Sequence, residues 1–264
     1  MKLAFIGGGV MGEAMISGVL NNGLAKPQDV AACDILAPRR DHLSSTYDIK
    51  AVDRPALALD GADIVVLAVK PQEFLTTARS LALKPGQTVM SIMAGVTVQA
   101  IRAALKHDAI VRAIPNTPAQ IGEGMTIWTA TDAVPDTDRE AVRSILAVLG
   151  QELYVDDEKY VDMATAVSSS GPAYIFLVME ALIDGAVHIG LRRDLAQRMV
   201  IQTILGSARY AQATGKHPAD LRNQVTSPAG TTSEGLLALE KAGLRRAFVE
   251  AVRAAYEKAQ RLGG

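Results

Sequence analysis

Short apolar runs alternate with amphipathic stretches through the first half of the chain, and the second half is patterned almost wholly as helix. Leu3–Ile6 is a short apolar run with strand character. After a cluster of glycines, Met15, Ile16, Val19 and Leu20 recur at helical spacing up to Gly23, a residue suited to ending a helix. Val30–Cys33 predicts a second strand, a helical stretch starts at Pro38, and Ile49–Val52 is a third apolar run. Asp63–Val69 (DIVVLAV) is the clearest buried strand, with β-branched and Leu residues almost uninterrupted. Thr88–Met93 and Ala109–Ile114 each follow a helical segment, and Met125–Ala130 predicts a later strand. Pro135–Leu149 reads as a helix with Pro at its first turn and Gly150 beyond its end. Alternation of this kind predicts a parallel, doubly wound α/β sheet.

From about Asp157 the strand signals vanish. Pro172–Ile189 is apolar except for Glu180, Asp184 and His188. Val200, Ile204, Ala208 and Ala211 fall on one face of the next helix, and Leu236–Leu239 and Leu244–Leu262 supply two more. The pattern divides the chain into a dinucleotide-binding domain over 1–157 and a helical domain over 158–264. A helix as apolar as Tyr174–Ala181 needs cover on several sides, and a second copy of a small helical domain is the simplest cover. An obligate dimer built through the second half is expected.

Composition narrows the function. The 264 residues carry a net charge of −1 with 4% aromatics and no long basic run, which argues against nucleic acid as partner. The single cysteine, Cys33, lies in an apolar stretch and cannot form an internal disulfide, so a reducing, cytoplasmic setting fits. Polar interruptions divide the apolar runs, and no membrane span is expected. A zinc site is not expected either, since CxxC and HExxH are absent. Glu180, Asp184 and His188 at i, i+4 and i+8 form a polar stripe better suited to solvent or a subunit seam than to a metal.

Two motifs carry chemistry. Gly7-x-Gly9-x-x-Gly12 lies between the first strand and first helix, the context a dinucleotide fingerprint requires. Gly7 allows the turn, Gly9 lets the pyrophosphate approach backbone, and Gly12 lets helix and strand pack closely. Asp34, 22 residues after Gly12, is placed to accept from a ribose 2′-OH, whereas Arg39 and Arg40 could pair with a 2′-phosphate, so NADH and NADPH both stay open. Lys70-Pro71, Ala94-Gly95 and Pro115-Asn116 close three consecutive strands, where open α/β sheets bind ligands. The second motif, Val225–Glu240, predicts a turn at Ala229-Gly230. A Thr231/Glu234 capping box opens the helix after it, making an anion pocket with the hydroxyls of Ser227, Thr231 and Thr232.

FIGGGVMGEAM, LAVKPQ, AGVT, IPNTPA, SSSGPAYIF and VTSPAGTT, in this order, resemble the pyrroline-5-carboxylate reductase family over nearly the whole chain. The resemblance implies a Rossmann domain followed by an all-helical dimerisation domain, a homodimer assembled further into a decamer, and reduction of pyrroline-5-carboxylate to L-proline by NADPH or NADH. It would place the pyrophosphate on Gly7, Gly9, Val10 and Met11, the nucleotide against Val69, Lys70 and Ala94, and the nicotinamide by Pro115 and Asn116. Substrate carboxylate would lie on Ser227 and the N–H groups of Gly230 and Thr231. Thr232 would reach the ring nitrogen, and Glu158 would lie near the proline site. Three departures stand out: Ser169 and Ala229 replace family glycines, and Asp53 stands where Asn is usual near the adenosine ribose, a charge that would repel a 2′-phosphate. The alternatives are another NAD(P)-dependent imine or β-hydroxy-acid reductase of the same build, or a nucleotide-binding protein without turnover.

Overall fold

Short runs of three to seven residues, mostly apolar, become the strands of one eight-stranded sheet in the computed structural model, which describes residues 1–263. In chain order the strands and helices of the first half are β1 (Leu3–Ile6), α1 (Val10–Asn21), β2 (Val30–Cys33), α2 (Ala37–Tyr47), β3 (Lys50–Val52), α3 (Pro55–Leu59), β4 (Ile64–Leu67), α4 (Phe74–Ala78), β5 (Thr88–Ser91), α5 (Val98–Leu105), β6 (Ile110–Ile114), β7 (Gly124–Ala130), α6 (Asp136–Ala147) and β8 (Gly150–Tyr154). The sheet order is β3-β2-β1-β4-β5-β6-β7-β8. The chain reverses direction of growth at β1, so β1 and β4 flank the switch point at which such sheets bind nucleotides.

Alternate residues of each central strand feed opposite layers. Leu3 and Phe5 pack with Met15, Ile16 and Val19 of α1 and Val142, Ile145 and Leu146 of α6 on one face. Ala4 and Ile6 pack with Ala58, Phe74 and Ile101 on the other. Covering both faces is what lets β4 read as an unbroken apolar run.

Two expectations need correction. The sheet is not parallel throughout: β7 runs antiparallel to β6, pairing Ala113 with Trp128. Only the short η-turn Thr117–Ile121 connects them, too little for a parallel crossover. Gly150 does not merely follow a helix; it begins β8, parallel to β7. β8 escaped the sequence pattern because its burial alternates on an edge strand, with Gln151 and Leu153 exposed.

Helix α7 (Lys159–Ala164) leads through a π-helical turn, Thr165–Ser169, into α8 (Gly171–His188), followed by α9 (Arg193–Thr214), α10 (Pro218–Gln224), α11 (Thr231–Lys241) and α12 (Leu244–Gly263). The chain divides into two compact units, Met1–Ser170 with the end of the chain from Ala254, and Gly171–Arg253. In the second unit α8 packs along α9, yet Ala196 is the one fully buried residue of α8 to α11. Phe176 and Leu177 are more than half exposed. The continuous helical stretch Lys159–His188 also has the length and apolarity to cross a bilayer, contrary to the expectation of no such segment. Its charged residues, Lys159, Asp162, Glu180 and Asp184, sit towards the two ends and leave an apolar middle.

Gly150 shows how tightly β7 and β8 join. Its φ is +132°, and a Cβ there would collide with the backbone of Gly124. Gly150→Ala is therefore expected to cost about 3 kcal/mol in urea unfolding; a loss below about 0.5 kcal/mol, the range of ordinary surface substitutions, would contradict this packing.

Candidate active site

The dinucleotide turn is built from backbone that a side chain would block. Gly7 donates its N–H to the Cys33 carbonyl at 2.8 Å and has φ +105°; a Cβ on it would lie 2.6 Å from the Ala68 carbonyl oxygen. A Cβ on Gly12 would lie 2.5 Å from the Gly7 carbonyl oxygen, so only glycine lets α1 start this close to β1. Gly9 differs: open space surrounds its Cβ direction, and as N-cap of α1 it has no side-chain cap. The first N–H groups of α1 are left without a side-chain cap beside this open space, with Val10 exposed at the tip and Met11 packed inward. This cradle fits a dinucleotide pyrophosphate.

Strands β1 to β6 are mutually parallel, so their carboxyl ends share one edge. That edge gathers Gly7–Gly12 after β1, Asp34 after β2, Asp53 after β3, Val69 and Lys70 after β4, Ala94 after β5, and Pro115 and Asn116 after β6. Asp34 accepts from the Gly8 N–H at 2.8 Å and the Leu36 N–H at 2.9 Å. Arg39 donates through Nε to the Gly8 carbonyl at 2.9 Å and pairs with Glu13 at 2.7 Å. Burial pushes the Glu13 carboxyl up, but hydrogen bonds from Arg39, His42 and Tyr47 together hold it below the usual carboxylate range. The buried Cys33 thiol is raised to about 11, first by desolvation and then by the charges of Asp34 and Asp53. A thiol so raised is an inert core group.

Asn116 is a hub. Its side-chain oxygen accepts from the Met125 N–H at 2.9 Å, and its amide nitrogen donates to the Ser168 carbonyl at 3.1 Å. The loop after β6 is thereby tied to the π-turn that holds Ser169, an irregularity often found at functional sites.

Glu158 lies elsewhere in this network than a free substrate ligand would. Its Oε1 accepts from Arg112 Nη1 at 2.6 Å and from the Val98 N–H at 2.7 Å, so it anchors α7 to β6 and to the start of α5. Arg112 also pairs with Asp162 at 2.5 Å and is only 1% exposed. Sequence reading passed over Arg112, although a lone arginine inside the apolar IVRAI strand is itself a signal, because a buried cation needs partners.

In the second unit the Val225–Glu240 segment forms a turn and helix, but no capping box. Gly230, not Thr231, is the N-cap of α11, and no side chain caps it. Ser233 Oγ donates to the Gly230 carbonyl at 2.7 Å instead, because helix geometry begins at Thr231 and moves Glu234 beyond the capping position. The N–H groups of Thr231 and Thr232 are thereby left without a side-chain cap. Ser227 closes the turn by accepting the Gly230 N–H on its carbonyl at 3.1 Å, and its hydroxyl lies over Gly230. Ala229 has φ +56°, the left-handed conformation foreseen as a strain on alanine.

A glycine cradle at the switch point of a doubly wound sheet, joined in sequence to a helical unit, defines a dinucleotide-binding α/β protein of two-part build. Residues 158–262 match the family described as pyrroline-5-carboxylate reductase dimerisation, and residues 2–95 match NADP oxidoreductase, coenzyme F420-dependent. The chain is 40% identical to the pyrroline-5-carboxylate reductase of Synechocystis sp., covering 100% of this chain and 98% of that one, and 37% identical to that of Pseudomonas aeruginosa, covering 99% and 96%. The solved structure of the Plasmodium falciparum enzyme with NADP bound superposes with a TM-score of 0.90 at 31% identity, covering 100% and 98%. The chain belongs to the pyrroline-5-carboxylate reductase family.

Left-handed alanine costs about 1–2 kcal/mol, partly offset by the extra unfolded-state freedom of glycine. Ala229→Gly is expected to raise stability by about 0.5–1 kcal/mol in urea unfolding; a loss of stability would contradict the strained turn.

Proposed function

We propose that this chain reduces 1-pyrroline-5-carboxylate to L-proline with NAD(P)H, the last step of proline biosynthesis. Full-length likeness to pyrroline-5-carboxylate reductases, across both halves and in one order, carries this reading. Bound NAD(P)H supplies a hydride to C5 of the cyclic imine while the ring nitrogen takes up a proton.

The finer assignments are our own. Gly7, Gly9, Val10, Met11 and Gly12 hold the pyrophosphate, supported by the uncapped start of α1 and the open space at Gly9. Val69, Lys70 and Ala94 line the nucleotide, and Pro115 and Asn116 adjoin the nicotinamide, supported by their common sheet edge. Ser227 and the N–H groups of Gly230 and Thr231 hold the substrate carboxylate, and the Thr232 hydroxyl holds the ring nitrogen. The uncapped tip of α11 supports this through its positive dipole and the uncapped N–H groups of Thr231 and Thr232, whereas the Gly230 N–H, bonded to the Ser227 carbonyl at 3.1 Å, would share its hydrogen with the carboxylate. Glu158 acts one step removed: it fixes the turn after β5 through Val98 rather than touching substrate. A protonated imine is already electrophilic, so the protein's task is to orient two partners at near-attack distance, and no acid–base dyad is required.

The family's dimerisation half accounts for the uncovered apolar helices, and the chain forms a homo-oligomer. We assign a domain boundary near residue 157, a decamer built from dimers as the full assembly, and a cytoplasmic setting, the last supported by the buried, unpaired Cys33.

Steady-state kinetics test the site. Removing a hydrogen bond to a charged group costs about 1.5–3 kcal/mol, so Ser227→Ala is expected to raise the KM for pyrroline-5-carboxylate roughly tenfold or more with kcat little changed. Thr232→Ala is expected to lower kcat about 100-fold. Unchanged kinetics in either variant would remove its assigned role, and absence of turnover in the wild type would remove the function.

A further inference from the structure

We infer that Asp34 makes this chain discriminate against the 2′-phosphate, so that it takes NADH in preference to NADPH. The inference rests on the reading of the first half as a dinucleotide site. The Asp34 carboxylate is held at the cradle by two backbone donors, the N–H of Gly8 at 2.8 Å and that of Leu36 at 2.9 Å. Gly8 adjoins the pyrophosphate turn, so the carboxylate stands where the adenosine ribose must pass. Each of its oxygens keeps a lone pair for a ribose hydroxyl, whereas a phosphate dianion would meet a fixed negative charge.

Sequence alone left Arg39 and Arg40 as counterweights. In the structure both are engaged. Arg39 donates to the Gly8 carbonyl and is paired with Glu13 at 2.7 Å, and His42 Nε2 lies 2.6 Å from the same carboxylate. Arg40 Nη1 donates to the carbonyls of Asp34 and Ile35 at 2.9 and 3.0 Å. Recruiting Arg39 to a phosphate would require breaking its pair with Glu13. Asp53, at the end of the neighbouring strand β3, adds a second negative charge, only loosely offset by Arg54 at 3.9 Å. Both carboxylates act on buried Cys33, which places their field at this end of the sheet. Beside them Ile35 and Leu36 are exposed apolar residues, 80% and 58% accessible, suited to the face of an adenine ring.

Fluorescence titration of the full chain with NADH and with NADPH, without substrate, reads this preference independently of turnover. Wild type is expected to bind NADH at least about tenfold more tightly, since like-charge juxtaposition costs more than the free energy of one decade. Asp34→Ser, which can still accept from a ribose hydroxyl, is expected to bring the ratio to about unity or invert it. Glu13→Gln leaves Asp34 in place and removes the negative charge paired with Arg39, and is expected to narrow the ratio at least about threefold. Equal or reversed wild-type affinities, or a ratio unmoved in the folded Asp34→Ser or Glu13→Gln protein, would overturn the assignment. Failure of both dinucleotides to bind would instead remove the underlying site, and dinucleotide binding without imine reduction would remove the proposed reaction while leaving this inference standing.

Discussion

Close approach of backbone to backbone at the turn after β1 is the constraint on which the first unit depends. Gly7 and Gly12 have carbonyl oxygens where Cβ atoms would stand, so α1 can begin within van der Waals reach of β1 and β4 only without side chains there. Its N-terminus is thereby aimed along the sheet edge shared by the carboxyl ends of six parallel strands. Dipole, unsatisfied N–H groups and topology then converge on one place, and the sheet requires no further device to attract a pyrophosphate.

The second unit follows a different logic. It buries Ala196 and little else along α8 to α11, and leaves large side chains such as Phe176 and Leu177 facing outward. Full burial of each such residue is worth roughly 1.5–3 kcal/mol. Association with another copy gains what a lone copy cannot, which fits the dimerisation description of this half. It also explains why Lys159–His188 has the composition of a bilayer-crossing helix: apolarity meant for a protein neighbour and apolarity meant for lipid look the same in a sequence.

The elements legible in the sequence were those whose period repeats cleanly. β1 and β4 are continuous apolar runs because both sheet faces are covered, β6 is one broken only by Arg112, and α1 shows its stripe between glycine punctuation. β8 was hidden because an edge strand alternates exposed and half-buried residues, and the antiparallel turn at β7 depends on connection length rather than on residue type. The Thr231-x-x-Glu234 spacing suggested a capping box, yet the helix starts one residue earlier than that motif requires, a boundary error of one position with a chemical consequence. Arg112 stands 46 residues before Glu158 and 50 before Asp162, so an arginine inside an apolar strand signals that partners exist, but only the fold decides which acids they are. The strain at Ala229 was legible, because glycine is the ordinary occupant of a left-handed turn.

The central claim is that the hydroxyl-rich tip of α11 holds a substrate carboxylate while the glycine cradle holds the dinucleotide that reduces it. A crystal structure of the oligomer with the oxidised dinucleotide and L-proline tests it most directly. The account predicts the proline carboxylate on Ser227 and the Gly230–Thr231 backbone, Thr232 at the ring nitrogen, and C5 about 3–3.5 Å from the nicotinamide C4. Proline bound away from residues 227–232 of every subunit would contradict it.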